Sequence, residues 1–139
     1  MIDHITLHVD DARRSIDFYT RVLAPLGYVR KVQHGETVGF GTEDGTPHAD
    51  FYVSPRISNA HESVETWRQE PTSPVTHIAF RAGDETAVDR FHEEGLAAGG
   101  TENGEPGMRD YHPGYYSAFI LDPDGNNIEA VVDWSHSLG

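Results

Sequence analysis

A strand-like run near the start of the chain, IDHITLHV at residues 2–9, returns 73 residues later as VTHIAFRA at 75–82. Each carries histidine at its third position, His4 and His77. The same offset, without a gap, pairs Ile5 with Ile78, Leu7 with Phe80, Asp11 with Asp84, Phe18 with Phe91, Leu23 with Leu96 and Gly27 with Gly100. Matches over a strand, a turn and a helix under one offset point to a duplicated structural unit. With 139 residues, the chain is one domain, or two small modules sharing a core.

Each unit reads alike. Residues 2–9 alternate apolar and polar as a strand, Asp11 is placed to cap a helix, and Ile16, Tyr19, Val22 and Leu23 recur at helical spacing before Gly27. The second copy runs from 75–82 through Asp84 to Val88, Phe91 and Leu96, closed by Gly99 and Gly100, with Gly95 weakening the helix. Strand signals follow each helix. They are YVRKVQH, TVGFGTE and ADFYVS in the first unit, and a short stretch near 101–104, YYSAFILD and NNIEAVVD in the second. A Pro-Asp-Gly turn joins the last two. The expected division is a first unit at 1–54, a polar, proline-bearing linker at 55–74 and a second unit at 75–139. Trp67 in that linker reads as a residue for a subunit contact or for covering the core.

Charge narrows the function. There are 23 Asp and Glu against 10 Lys and Arg, for a formal net charge of -13. So acidic a chain, with Lys31 as its single lysine, repels a phosphate backbone, so nucleic-acid binding is not expected. No apolar run approaches the roughly 18 residues of a membrane span, and the N-terminus lacks the pattern of a secretory signal. The absence of cysteine excludes disulfides, thiolate ligands and a cysteine nucleophile. A cytoplasmic protein without membrane association is the expectation.

Strand alternation sorts the side chains. His4, Thr6 and His8 share one face of the first strand, and Ile5, Leu7 and Val9 the other, which the helix must cover. By the same parity His77, Ala79 and Arg81 lie on the helix-free face of the second unit, with Asn127, Glu129 and Val131. Asp50 and Tyr52, with His48, take that face in the first unit. If the two polar faces curve toward each other, His4, Asp50, His77 and Glu129 meet in one cavity. Two imidazoles and one or two carboxylates suit a divalent first-row metal with positions left open. A lone strand histidine is more often a structural residue, so the weight lies on the set. His34, His61, His92 and His136 fall in turns, linker or helix surface and receive no role.

The runs DHITLHVDDARRSIDFYTRVLAPLGY, THIAFRAGD and YHPGYYSAFILDPDGNNIEAV together resemble the vicinal oxygen chelate superfamily. That superfamily includes glyoxalase I, extradiol dioxygenases, fosfomycin-resistance and bleomycin-binding proteins. The resemblance covers nearly the whole chain. It implies an α+β glyoxalase-like fold of two tandem βαβββ modules forming a cupped, barrel-like mixed sheet. It also implies a divalent metal (Ni, Zn, Fe, Mn or Co) held by His4, His77 and Glu129, with Asp50 or His48 at the place of a fourth ligand. Glu129 would also move a proton. His8, Arg81, Tyr111 and His112 would contact a small oxygenated substrate, Arg81 as partner of a carboxylate or phosphate. The activity implied is that of a lyase, isomerase or dioxygenase. A non-catalytic binder of a small molecule such as a cationic drug is the alternative that the acidity suits. A homodimer is implied, with the modules paired within one chain or across a two-fold axis.

Overall fold

The duplicated halves fold into two βαβββ units in a computed structural model that describes residues 1–56 and 75–133. Most of the linker, with Trp67 and His61, lies outside the described residues, as does His136. The first unit contains β1 (Ile5–Val9), α1 (Ala12–Leu23), β2 (Tyr28–His34), β3 (Thr37–Thr42) and β4 (Phe51–Pro55). The second contains β5 (His77–Arg81), α2 (Glu85–Ala97), β6 (Thr101–Met108), β7 (Tyr116–Leu121) and β8 (Asn127–Val132).

Both helices start as the sequence predicts. Asp11 accepts a hydrogen bond from Arg14 N and Asp84 from Ala87 N, so each carboxylate satisfies a backbone donor that the first turn leaves unpaired. At the other end of α2, Gly99 takes the left-handed conformation at φ 100°, Gly100 N donates to Gly95 O and Gly99 N to Leu96 O. This paired closure satisfies the last carbonyls and needs a residue without Cβ at the left-handed position.

Strand order is β1-β4-β3-β2 in one sheet and β5-β8-β7-β6 in the other, with β1–β4 and β5–β8 parallel and the remaining pairs antiparallel. The expectation of one cupped, barrel-like mixed sheet is corrected here: among the described residues there are two separate four-stranded sheets, neither closed nor strongly curled. Closure needs strands hydrogen-bonded around a full ring, about eight for a small barrel. Here every ladder bond stays within its own unit, and β1, β2, β5 and β6 remain edges.

The units meet instead through their helix-covered faces. Phe80 on β5 packs edge-to-face on Phe51 of β4 at 5.2 Å between ring centroids, and on Tyr28 of β2 at 5.5 Å. One continuous core runs from Leu7, Val9, Phe18 and Tyr19 to Phe91, Ile120 and Ile128. The helices contribute as well: Arg21 donates to Glu94 at 3.0 Å, a contact between positions equivalent under the 73-residue repeat. The DPDGNN turn closes the junction. Tyr19 donates its buried hydroxyl to Asp122, Asp10 N donates to Asp124 Oδ2 at 2.8 Å, and Arg14 reaches Pro123 O at 3.3 Å.

β6 is longer than the short stretch near 101–104. Its TENGEPGM sequence reads against a strand, but it lies at a sheet edge with register shifts at Glu102/Gly104 and Gly104/Gly107, where glycine and Pro106 are tolerated. Among the described residues no helix is long and apolar enough to cross a membrane.

Gly95 weakens α2 in isolation, yet the packing requires it: a Cβ there would sit 2.2 Å from Ile120 Cδ1 and 3.2 Å from its Cγ2. Ile120 is fully buried on β7, so its side chain must shift within the core to admit a methyl group. Gly95→Ala gains about 1 kcal/mol of helix propensity but overpacks the helix–sheet contact by about 1–3 kcal/mol. A net loss is therefore expected in urea unfolding. Adding Ile120→Val, which removes the clashing methyl, should recover part of it, so the double variant is less destabilised than the two single losses predict.

Candidate functional site

Glu129 sits in the middle of β8, opposite Ala79 on β5 and Phe119 on β7. It is 3% exposed although it lies on the helix-free face. Three side chains cover it. His77 Nε2 lies 3.1 Å from its Oε1, Tyr115 donates its hydroxyl to Oε2 at 2.5 Å, and Phe119 stacks on His77 at 6.2 Å between centroids. Arg109 lies over the outer face of Phe119 at 5.5 Å.

The tautomer of His77 is set by its other nitrogen. Nδ1 lies 2.9 Å from the carbonyl oxygen of Asn127. A carbonyl only accepts, so Nδ1 carries a proton and Nε2 is the nitrogen turned to Glu129. Nε2 donates to the carboxylate when the ring is an imidazolium and presents its lone pair when the ring is neutral, and a cation can take the place of that second proton. The 3.1 Å separation is that of a hydrogen-bonded ion pair, and its nitrogen and oxygen donors are of the types that a divalent metal takes.

The first unit presents the matching imidazole. His4 precedes β1, half-exposed, with its ring edge-on to Tyr52 at 5.3 Å between centroids. Its Nδ1 lies 2.7 Å from Asp3 Oδ1, and His48 Nε2 lies 3.3 Å from Asp3 Oδ2. These two imidazoles hold the Asp3 carboxyl below its usual range, the bond to His4 being the larger cause.

Register decides what stands beside each histidine. Thr6 pairs with Tyr52 in the first sheet and Ala79 with Glu129 in the second. Thr6 and Ala79 are equivalent under the repeat, so Tyr52 occupies in the first unit the place of Glu129. The separation of equivalent residues is 73 at the first strands and 77 at the last, because the intervening loops differ in length. Asp50 precedes β4 and accepts from the Tyr28 hydroxyl at 3.0 Å, while its buried Oδ1 has no hydrogen-bond partner among the described residues. Burial first, then this bond, pushes the Tyr28 phenol well up.

His77 and Glu129 are therefore brought together, and His4, Asp3 and His48 form a second group. Among the described residues no three His, Cys, Asp or Glu side chains gather into a group able to hold a metal ion. Arg81 is exposed and His8 half-buried, both on the helix-free faces of their sheets. Tyr111 and His112 pack against Tyr115, at 5.0 and 5.5 Å between centroids, and so flank the hydroxyl on Glu129. Sequence reasoning missed Tyr115, Phe119 and Asp3, and placed Tyr52 on the helix-free face without giving it a role. Parity was the available signal: Ala118 and Ile120 are apolar and belong to the core face, which leaves Phe119 and, four residues earlier, Tyr115 on the other.

Residues 1–130 match the family model described as Glyoxalase/Bleomycin resistance protein/Dioxygenase superfamily. A crystal structure of a glyoxalase/bleomycin resistance protein from Albidiferax ferrireducens T118 is 29% identical, over 93% of this chain and 95% of that one, with a TM-score of 0.67. A glyoxalase/bleomycin resistance protein/dioxygenase family enzyme from Burkholderia phytofirmans PsJN shares the fold at 21% identity and TM-score 0.71, over 94% and 96%. So does a lactoylglutathione lyase from Agrobacterium tumefaciens, at 20% identity and TM-score 0.64, over 94% and 92%. No curated protein matches the chain.

The Tyr115 phenol is pushed well above its ordinary value near 10, first by burial and then by the bond to the Glu129 carboxylate. Both causes penalise the phenolate. Glu129→Gln removes one of them, so Tyr115 should deprotonate at lower pH in that variant while staying above the ordinary range. Titration of ring-labelled tyrosine by carbon NMR reads this directly. An ordinary midpoint in the unaltered protein would show that the bond is not formed.

Proposed function

Because the chain belongs to the Glyoxalase/Bleomycin resistance protein/Dioxygenase superfamily, we propose that it is a metal-dependent enzyme of the lyase, isomerase or dioxygenase type. Its substrate is a small molecule that chelates through two neighbouring oxygens. The observation that carries this reading is the His77–Glu129 pair, an imidazole nitrogen and a buried carboxylate oxygen 3.1 Å apart on the helix-free face of the second sheet. His77 Nε2, Glu129 Oε1 and the imidazole of His4 would hold the metal, and their nitrogen and oxygen donors suit Ni, Zn, Fe, Mn or Co. When bound, such a metal polarises a carbonyl and stabilises an adjacent anion.

The chain's own residues do the rest. In an isomerisation, Glu129 would move a proton through Oε1 when that oxygen is not engaged as a ligand, with Tyr115 holding Oε2 and so fixing the direction of the carboxylate. Arg81, exposed on the same sheet face, pairs with a carboxylate or phosphate on the substrate. His8 lines the opposite face, and Tyr111 and His112 orient the substrate at the rim. Because the helix-covered faces of the two units pack on each other, His4 of one chain meets His77 and Glu129 of a second copy. The reading is thus of a homodimer with two crossed sites. The acidity of the chain, at -13, favours a second reading, a non-catalytic pocket for a cationic small molecule.

Elemental mass spectrometry of untagged protein tests the site. The unaltered protein should carry nearly one metal per chain. His4→Ala and His77→Ala should each weaken binding by more than the about 10–100-fold that loss of an outer-sphere partner costs. Mixing the two variants under exchange conditions should restore part of the metal, since one site in each mixed dimer regains both imidazoles. No uptake by the unaltered protein after incubation with divalent ions would sink the enzyme reading in favour of the binding pocket. No recovery on mixing would place both imidazoles of a site on one chain.

A further inference from the structure

We propose that Asp3, held in turn by His48, is a positioning residue that locks His4 in the tautomer whose Nε2 lone pair faces away from the carboxylate. The inference rests on the metal reading above. Its geometry, however, lies wholly within the first unit.

The carboxylate of Asp3 has both oxygens engaged, Oδ1 with His4 Nδ1 at 2.7 Å and Oδ2 with His48 Nε2 at 3.3 Å. An ionised carboxylate only accepts, so the neutral His4 ring carries its proton on Nδ1 and its Nε2 lone pair is left for a metal ion. A carboxylate bound at one oxygen alone can swing about its side chain, and the second bond to His48 restrains that motion. His77 reaches the same tautomer by another route, through the backbone carbonyl of Asn127. The two units therefore present the same ring nitrogen by unrelated means.

His48 is delivered to Asp3 by a braced loop. The Lys31 ammonium, its side chain 4% exposed, donates to Thr42 O and to Asp44 Oδ1, each at 2.6 Å. Asp44 also accepts from Thr46 N at 3.0 Å and Thr46 Oγ1 at 2.8 Å. Thr46 Oγ1 in turn accepts from His48 N at 3.3 Å. Gly41 lets the loop close down: a Cβ there would lie 2.9 Å from His48 O. The single lysine of the chain thus anchors a relay of contacts ending at His4. Asp3 and His48 are themselves exposed, so they add little to stability. Their substitution should leave the fold intact.

The test reads the ring directly in metal-free, nitrogen-15-labelled protein, by long-range proton–nitrogen correlation at fixed pH about two units above the usual histidine value. His4 should be the Nδ1–H tautomer in the unaltered protein and revert in Asp3→Ala to the Nε2–H form that an unrestrained imidazole favours. Asp3→Asn, whose amide oxygen still accepts, should keep the original tautomer. Calorimetric titration with Co²⁺ should then show Asp3→Ala weaker by about 10–100-fold, with Asp3→Asn between the two. An unchanged His4 tautomer in Asp3→Ala, or an unchanged Co²⁺ affinity, overturns the positioning role. Failure of the unaltered protein to bind Co²⁺ overturns instead the metal reading beneath it, and the metal-free spectra keep the two failures apart.

Discussion

The contact between Phe80 and the pair Phe51 and Tyr28 determines how the two halves of this molecule face each other. All three rings lie on the helix side of their sheets. Burying them together yields the area of three aromatic side chains and a favourable edge-to-face geometry, worth about 0.5–1.5 kcal/mol per pair beyond burial. Once those faces are joined, the opposite faces must look elsewhere. Thr6, His77, Ala79 and Arg81 are all exposed as a result. The DPDGNN turn reinforces the choice, because the buried Tyr19–Asp122 bond and the Asp10–Asp124 bond cross the same junction.

That junction explains why the candidate site comes in two parts. Glu129 is shielded by Tyr115, His77 and Phe119, so its carboxylate is the best organised donor of the pair. The first unit offers an imidazole beside a phenol, since Tyr52 stands where the second unit has Glu129. Duplication therefore supplied equivalent positions, and divergence assigned them different chemistry. One imidazole is oriented by a backbone carbonyl, the other by a carboxylate that a second imidazole also grips.

Much of the fold was legible in the residues. Asp11 and Asp84 cap their helices as the spacing indicated, and the alternation along β1, β4, β5 and β8 placed Leu7, Val53, Phe80 and Ala130 in the core. These signals are local, set by strand and helix periods and by backbone donors that need partners. Other features were illegible for equally physical reasons. β6 carries glycine and proline because an edge strand with bulges tolerates them. Asp50 seemed to share the face of His4, but it precedes the strand and turns to Tyr28. Tyr115 looked like one more strand residue until the loop before it brought Tyr111 and His112 alongside.

By itself, then, the sequence determined that the chain is a duplicated strand–helix–strand unit, which histidines match, and which side of each strand is polar. Repeat, period and cap are all properties of neighbours along the chain. Only the tertiary structure decided that the sheets stay separate, that the helix faces share one core, and that Tyr52 rather than Asp50 stands opposite Glu129 in the repeat. Those outcomes depend on loop lengths and on packing between segments far apart in sequence, where a shift of one residue moves every side chain to the other face.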